Sequence, residues 1–185
     1  MNFKTLLMLS AALCVCTEAF AAGKIRLAPG ASCFAWNQNT KSKPDAIPAG
    51  GFVDESNRFF WRNIHQCDEL KNLNGASFIM WEGYLQVPKT QNYRFSLTTH
   101  GYADRDATIK IFLNSQPLLT KQENGSDTVT ASASLKRGFV HIRIYLNPNR
   151  PNSEVSFSLK YAGINAMKMT DIIPSGLYHK VDEEQ

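Results

Sequence analysis

The 185-residue chain is predicted to be all-β, an antiparallel sandwich entered through an irregular N-terminal segment. Three observations carry this expectation. Five runs swap apolar and polar residues at every step, turn-forming clusters separate those runs, and helical spacing fits none of them.

At the N-terminus, "MNFKTLLMLSAALCVCTEAFAAGKIRL" places Lys4 before an apolar run from Leu6 to Val15, followed by small residues that permit cleavage at "AFA". That is the order of charge, apolar stretch and small residues in a secretory signal peptide, so residues 1–21 are read as a leader. The apolar stretch falls short of the roughly 20 residues needed to span a bilayer as a helix. Cys14 and Cys16 would leave with the leader. Export favours pairing the remaining two, Cys33 and Cys67, in an oxidising compartment. The bridge would close a loop of about 35 residues and, in the chain-entropy model, contribute roughly 3 to 4 kcal/mol. A metal site is the weaker reading for two cysteines that lack CxxC spacing and a nearby histidine pair.

Residues 22–50, including "GASCFAWNQNTKSKPDAIPAGG", are rich in Gly, Pro, Asn, Ser and Lys and read as irregular. Phe34 and Trp36 are expected to fold back over the domain as satellite apolar contacts. From Gly51 onward the period becomes two. "YRFSLTT" sets Tyr93, Phe95 and Leu97 on one face, and "ATIKIFL" sets Ile109, Ile111 and Leu113 in phase. "TVTASASL" aligns Val129, Ala131, Ala133 and Leu135. In "FVHIRIYL", Val140, Ile142, Ile144 and Leu146 oppose His141, Arg143 and Tyr145. "VSFSLKY" repeats the pattern with Val155, Phe157, Leu159 and Tyr161. Between them lie "PKTQN", "NSQP", "ENGSD", "KRG" and "NPNRPNSE", each suited to a turn. Only "DELKNL" after Cys67 invites a helical turn. The sandwich is expected to span residues 51–178, with 179–185 a polar tail.

Charge and motifs narrow the function by exclusion. The net charge is +4, and it is unchanged when Lys4 and Glu18 depart with the leader. No dense cluster of lysine and arginine suggests nucleic acid. The four histidines, at 65, 100, 141 and 179, form no HExxH, and neither a GxSxG elbow nor a glycine-rich phosphate loop is present. Glu82 follows Trp81 and could meet a second carboxylate for glycoside hydrolysis, but its place in the alternation makes it a satisfied or solvent-facing strand residue. The chain is therefore read as no enzyme, and no cofactor is required.

"FIMWEGYLQVPKTQNYRFSL" spaces a Trp-x-Gly, an apolar strand, a turn after Pro88 and a Tyr-x-Phe. "IKIFLNSQPLL", "SLKRGFVHIRIYL" and "VSFSLKYAG" follow in order. This ordered set resembles the protective-antigen-type (PA14-like) β-sandwich family, over roughly Gly51 to Tyr178. Trp81, Gly83, Leu85 and Val87 share one phase, so Trp81 is expected in the core and Gly83 where a neighbour approaches closely. The family's fold is a jelly-roll-like sandwich, and its members include toxins, adhesins and glycosidases. The resemblance implies a secreted, noncatalytic module whose partner is a glycan or a surface protein. The leader predicts export, to the periplasm, the cell surface or outside the cell, with no transmembrane segment in the mature chain. In the family's sugar-binding adhesins, two adjacent aspartates hold a calcium ion that grips sugar hydroxyls.

Here "HGYADRDATIKIFLN" carries two aspartates separated by Arg105, so that adjacent pair does not map residue for residue. Asp104 and Asp106 are read as loop residues before a strand that begins near Ala107. They are candidate calcium ligands, with backbone carbonyls, Asn124, Asp127 or water completing a shell of six to eight oxygens, or they are solvated acids neutralised by Arg105. His100 and Tyr102 share the loop and are candidate ligand-binding residues. The rival functional reading is a structural or assembly component of a bacterial envelope, surface appendage or toxin complex, binding another chain through sheet faces or edges.

Overall fold

The computed structural model of the chain describes residues 26–37, 50–61, 76–100, 107–122, 127–148 and 154–181. Thirteen strands run through them: β1 Arg26–Pro29, β2 Ala31–Asn37, β3 Gly50–Asp54, β4 Phe59–Trp61, β5 Ala76–Val87, β6 Gln91–His100, β7 Thr108–Leu113, β8 Gln116–Lys121, β9 Thr128–Leu135, β10 Gly138–Asn147, β11 Val155–Gly163, β12 Thr170–Ile172 and β13 Tyr178–Val181. A 3-10 turn, Pro174–Gly176, separates the last two.

The strands form two antiparallel sheets, as the alternating runs required. The larger orders β1-β13-β5-β10-β7-β8, with β2 against β5 and β3 against β2. The smaller orders β12-β11-β6-β9, with β4 beside β11. Each run that alternated in the sequence turns its apolar phase inward. Ile79, Trp81, Leu85 and Val87 from β5 meet Phe95 and Leu97 from β6, Ile109 and Ile111 from β7, Ile142 and Ile144 from β10, and Phe157 and Leu159 from β11. Burying a side chain of this size contributes about 1.5 to 3 kcal/mol, so the shared interior is the main source of cohesion.

Trp81 lies at the centre, 1% exposed. Its ring meets Phe59 and Phe157 edge-on at centroid distances of 5.5 and 5.8 Å, and those two phenyls stack on each other at 5.0 Å. A buried indole N–H needs an acceptor, and Asp54 Oδ2 supplies it at 2.8 Å. Asp54 Oδ1 accepts the backbone N–H of Ser56 at 2.9 Å. One carboxylate thus ties the end of β3 to the middle of β5. A Cβ on Gly83 would lie 3.1 Å from the Tyr178 carbonyl oxygen and 3.2 Å from Leu177 Cβ. Glycine at this position lets β13 lie against β5, the close approach expected from the sequence.

Two boundaries differ from the expectation. Residues 22–50 are not wholly irregular: β1 pairs with β13, and β2 lies between β3 and β5. The inward phase of β2 is Ala31, Cys33 and Ala35, all fully buried. Such small side chains fill a close inter-sheet gap without producing a strong apolar signal. Residues 179–181 are likewise not tail but the end of β13, held by Arg26, Leu27 and Ala28. The leader, the "DELKNL" turn and Cys67 fall outside the described residues, so the Cys33–Cys67 pairing does too. No helix among the described residues is long and apolar enough to cross a membrane.

Candidate functional site

The registers bring ten strand ends together at one pole of the sandwich. In the larger sheet, Ala35 pairs with Gly50, Asn37 with Ala76, Leu146 with Ile79, Asn147 with Thr108, and Ile109 with Lys121. In the smaller, Ser156 pairs with His100, Thr98 with Thr128, and Val155 with Trp61. Five connections leave from this pole: 38–49, 62–75, 101–106, 123–126 and 149–153. Tyr102, Asp104 and Asp106 belong to the third of these and Asn124 to the fourth, all outside the described residues. Antiparallel alternation of strand direction is what gathers these connections at one pole and leaves tight turns at the other.

Of the predicted ligand-binding residues, His100 is described. It ends β6, exposed to solvent, and shares a 2.6 Å hydrogen bond between Nε2 and Ser158 Oγ on β11. One row further in, Thr98 and Thr128 join their hydroxyls at 3.0 Å across β6 and β9. Imidazole and hydroxyl groups of this kind both donate and accept, the chemistry that sugar hydroxyls or ordered water take up. A serine–histidine pair becomes nucleophilic only with a group orienting the ring and a pocket that excludes water. Among the described residues, His100 is exposed at its strand end. Asp127 is exposed at the start of β9, and its carbonyl oxygen accepts the N–H of Thr99 at 2.9 Å. No group of three or more His, Cys, Asp and Glu side chains among the described residues is placed to hold a metal ion; Asp104 and Asp106 are not among them.

Lys121, the last residue of β8, is the feature the sequence reading missed. It follows Leu119 in the inward phase and is 1% exposed. Burying a lysine side chain is costly unless its nitrogen finds a polar partner, and Lys121 is not without one. The signal was present in "PLLTK", where Lys121 falls in step with Leu119.

A second cluster lies on the outer face of the larger sheet. Glu82 on β5 faces Arg143 on β10 in direct register. Its Oε1 accepts hydrogen bonds from His141 Nε2 at 2.6 Å and Arg143 Nε at 2.8 Å. Burial opposes ionisation of Glu82, but the hydrogen bonds and charges of Arg143 and His141 outweigh it and hold the carboxyl below its ordinary 4.5. Glu82 is therefore a satisfied strand residue, as its phase suggested, with an arginine and a histidine opposite it in place of a second carboxylate. Beside it runs an aromatic belt across four strands. Phe34 and Trp36 meet at 6.4 Å, Trp36 and Phe78 at 5.2 Å, Phe78 and Tyr145 at 5.3 Å, and Tyr145 and Phe112 at 5.3 Å. The satellite packing expected of Phe34 and Trp36 is the start of this belt.

No family model matches the sequence, and no curated protein matches it. Solved structures do resemble it in fold. The PA14 domain of the antifreeze protein MpAFP aligns with a TM-score of 0.56 at 16% identity, over 83% of this chain and 92% of that one. The A domain of epithelial adhesin 9 from Candida glabrata, in complex with Galb1-4GlcNAc, aligns at 0.55 and 12% identity, over 83% and 90%. An anti-sigma factor domain-containing protein from Clostridium clariflavum aligns at 0.59 and 14% identity over 85% of this chain, which spans about half (49%) of that protein. At such identities the likeness speaks to architecture alone: the chain is similar to PA14-type domains in being a two-sheet antiparallel β-sandwich.

Proposed function

We propose that the chain is an exported, noncatalytic recognition module that binds carbohydrate through the pole where the ten strand ends gather. The observation that carries this reading is the site's chemistry. His100, Ser158, Thr98 and Thr128 place an imidazole and three hydroxyls beside the connection that holds Tyr102, Asp104 and Asp106. Support comes from similar folds, since the epithelial adhesin 9 A domain is seen with Galb1-4GlcNAc and with Galb1-3GlcNAc. Calcium held by Asp104 and Asp106, completed by backbone and water oxygens, would supply the cation that such a site presents to vicinal hydroxyls. The test is a glycan array with calcium and with chelator, run on the wild type and on Asp104→Ala and Asp106→Ala. Saturable binding weakened by chelator and by either substitution supports the reading. Binding to no glycan under any condition defeats it.

A second reading rests on the aromatic belt. Phe34, Phe78, Met80, Phe112 and Tyr145, next to Arg143, match the composition of protein-interface centres, where aromatic residues, Met and Arg are enriched. On this reading the face binds another protein chain in an envelope or appendage assembly. Phe112→Ser together with Tyr145→Ser would then abolish a complex that sugar does not disturb, while leaving glycan binding intact.

A further inference from the structure

The opposite pole of the sandwich is built from tight turns, and three of them form one surface. They are 88–90 between β5 and β6, 136–137 between β9 and β10, and 164–169 between β11 and β12. Hydrogen bonds lock them together. The Arg137 N–H donates to Thr90 Oγ1 at 2.9 Å, the Ile164 N–H to the Asn92 carbonyl oxygen at 3.0 Å, and the Ala166 N–H to the Gly163 carbonyl oxygen at 2.8 Å. The segments "PKT", "KR" and "INAMKM" hold Lys89, Lys136, Arg137 and Lys168, all exposed, and no acidic residue. Asp171, close by in β12, lies 3.5 Å from Lys160.

Apolar side chains stand among these cations. Met167 is fully exposed (106%), Ile164 is 52% exposed, and Phe139, two residues after Arg137, is 48% exposed. Projecting side chains on a rigid hydrogen-bonded base, ringed by lysine and arginine, match the two signals that hold a protein at a bilayer surface. Apolar groups enter the acyl boundary while cations remain with the headgroups.

We infer that this turn-built pole docks on a bilayer containing anionic lipid, leaving the connection-bearing pole turned away from the membrane. Charge names the lipid, because four cations with no acid among them gain nothing from a neutral headgroup. Exposure names the bilayer, because an anionic polysaccharide would use the cations but offers no apolar medium for Met167. Each lysine or arginine near an anionic surface raises partitioning about fivefold, roughly 1 kcal/mol, so four together distinguish anionic from neutral vesicles by roughly several hundredfold.

The test is sedimentation of the full chain with vesicles of phosphatidylcholine alone and of phosphatidylcholine mixed with phosphatidylglycerol. Binding is expected to the mixed vesicles, to fall as salt rises, and to drop in both Lys136→Glu and the charge-neutral Met167→Ser. Both positions are exposed, and circular dichroism verifies that the variants keep the wild-type fold. Equal binding to both vesicle types, or to neither, overturns the proposal. So does binding that heparin competes away and Met167→Ser leaves unchanged, a result that would assign the cations to an anionic polysaccharide.

Discussion

Replacing Trp81 by Phe tests whether the core is held by a polar tie as well as by apolar packing. Phenylalanine keeps an aromatic edge toward Phe59 and Phe157 but removes the Nε1–H that lies 2.8 Å from Asp54 Oδ2. A hydrogen bond to a charged acceptor contributes about 1.5 to 3 kcal/mol. The missing part of the bicyclic ring leaves a void whose lining loses contacts, adding about 1 kcal/mol. The single variant should therefore lose about 3 kcal/mol. The sharper quantity is the coupling in a cycle with Asp54→Ala. If the indole and carboxylate interact as the geometry shows, the double variant is less damaged than the sum of the singles by about 1.5 kcal/mol. Equilibrium urea unfolding followed by circular dichroism gives each free energy, and an unchanged denaturant slope verifies that all four proteins unfold from comparable states. Costs that add to within about 0.3 kcal/mol would refute the tie and leave Trp81 as packing alone.

Other consequences are open to the same stability assay. Ser115 and Asn114 occupy the two positions of the β7–β8 turn at φ of 65° and 48°, the left-handed region that glycine enters freely. Ser115→Gly should raise stability by about 0.5 kcal/mol, and a loss would contradict this backbone geometry. Lys121→Met keeps the length of the side chain but leaves the partner of a buried lysine without its mate, so it should cost about 3 kcal/mol; a stabilised variant would show that the lysine is held by apolar packing alone. Glu82→Gln tests the outer-face cluster by pH. Because the folded carboxyl titrates below 4.5, its contribution is fully present above the unfolded value and is lost as pH falls through the folded one. The gap between wild type and variant should thus be constant at neutral pH and close below about pH 4.5. A gap that widens on acidification would reverse the sign.

The parts of this fold legible in the sequence are those in which strong alternation meets deep burial. Tyr93, Phe95 and Leu97, or Ile109, Ile111 and Leu113, announced both a strand and its inner face. β2 escaped notice because its inward residues are alanine and cysteine, whose burial shows only once β3 and β5 flank them. β1 escaped because four residues ending in Pro29 are too few to establish a period. The outer-face features were hidden for another reason. Glu82 and Arg143 stand 61 positions apart, and only the register of β5 with β10 places them opposite each other. Phe34, Phe78, Phe112 and Tyr145 each occupied the polar phase of its own strand, where a single aromatic is unremarkable. Their continuity exists only across strands. At the candidate site, His100 was legible as a residue at a strand end. Its partner Ser158 was not, because a hydroxyl in an alternating strand carries no mark of what lies beside it.

The most direct test of carbohydrate recognition at the connection-bearing pole is an amide-resolved magnetic resonance titration of the isotopically labelled chain with lactose in the presence of calcium. Saturable shifts are expected at His100, Asp127 and Ser158 and at the residues of 101–106, with the turn-built pole unmoved. Shifts confined to the aromatic belt of Phe34, Phe78, Phe112 and Tyr145, or none up to millimolar sugar, would contradict it.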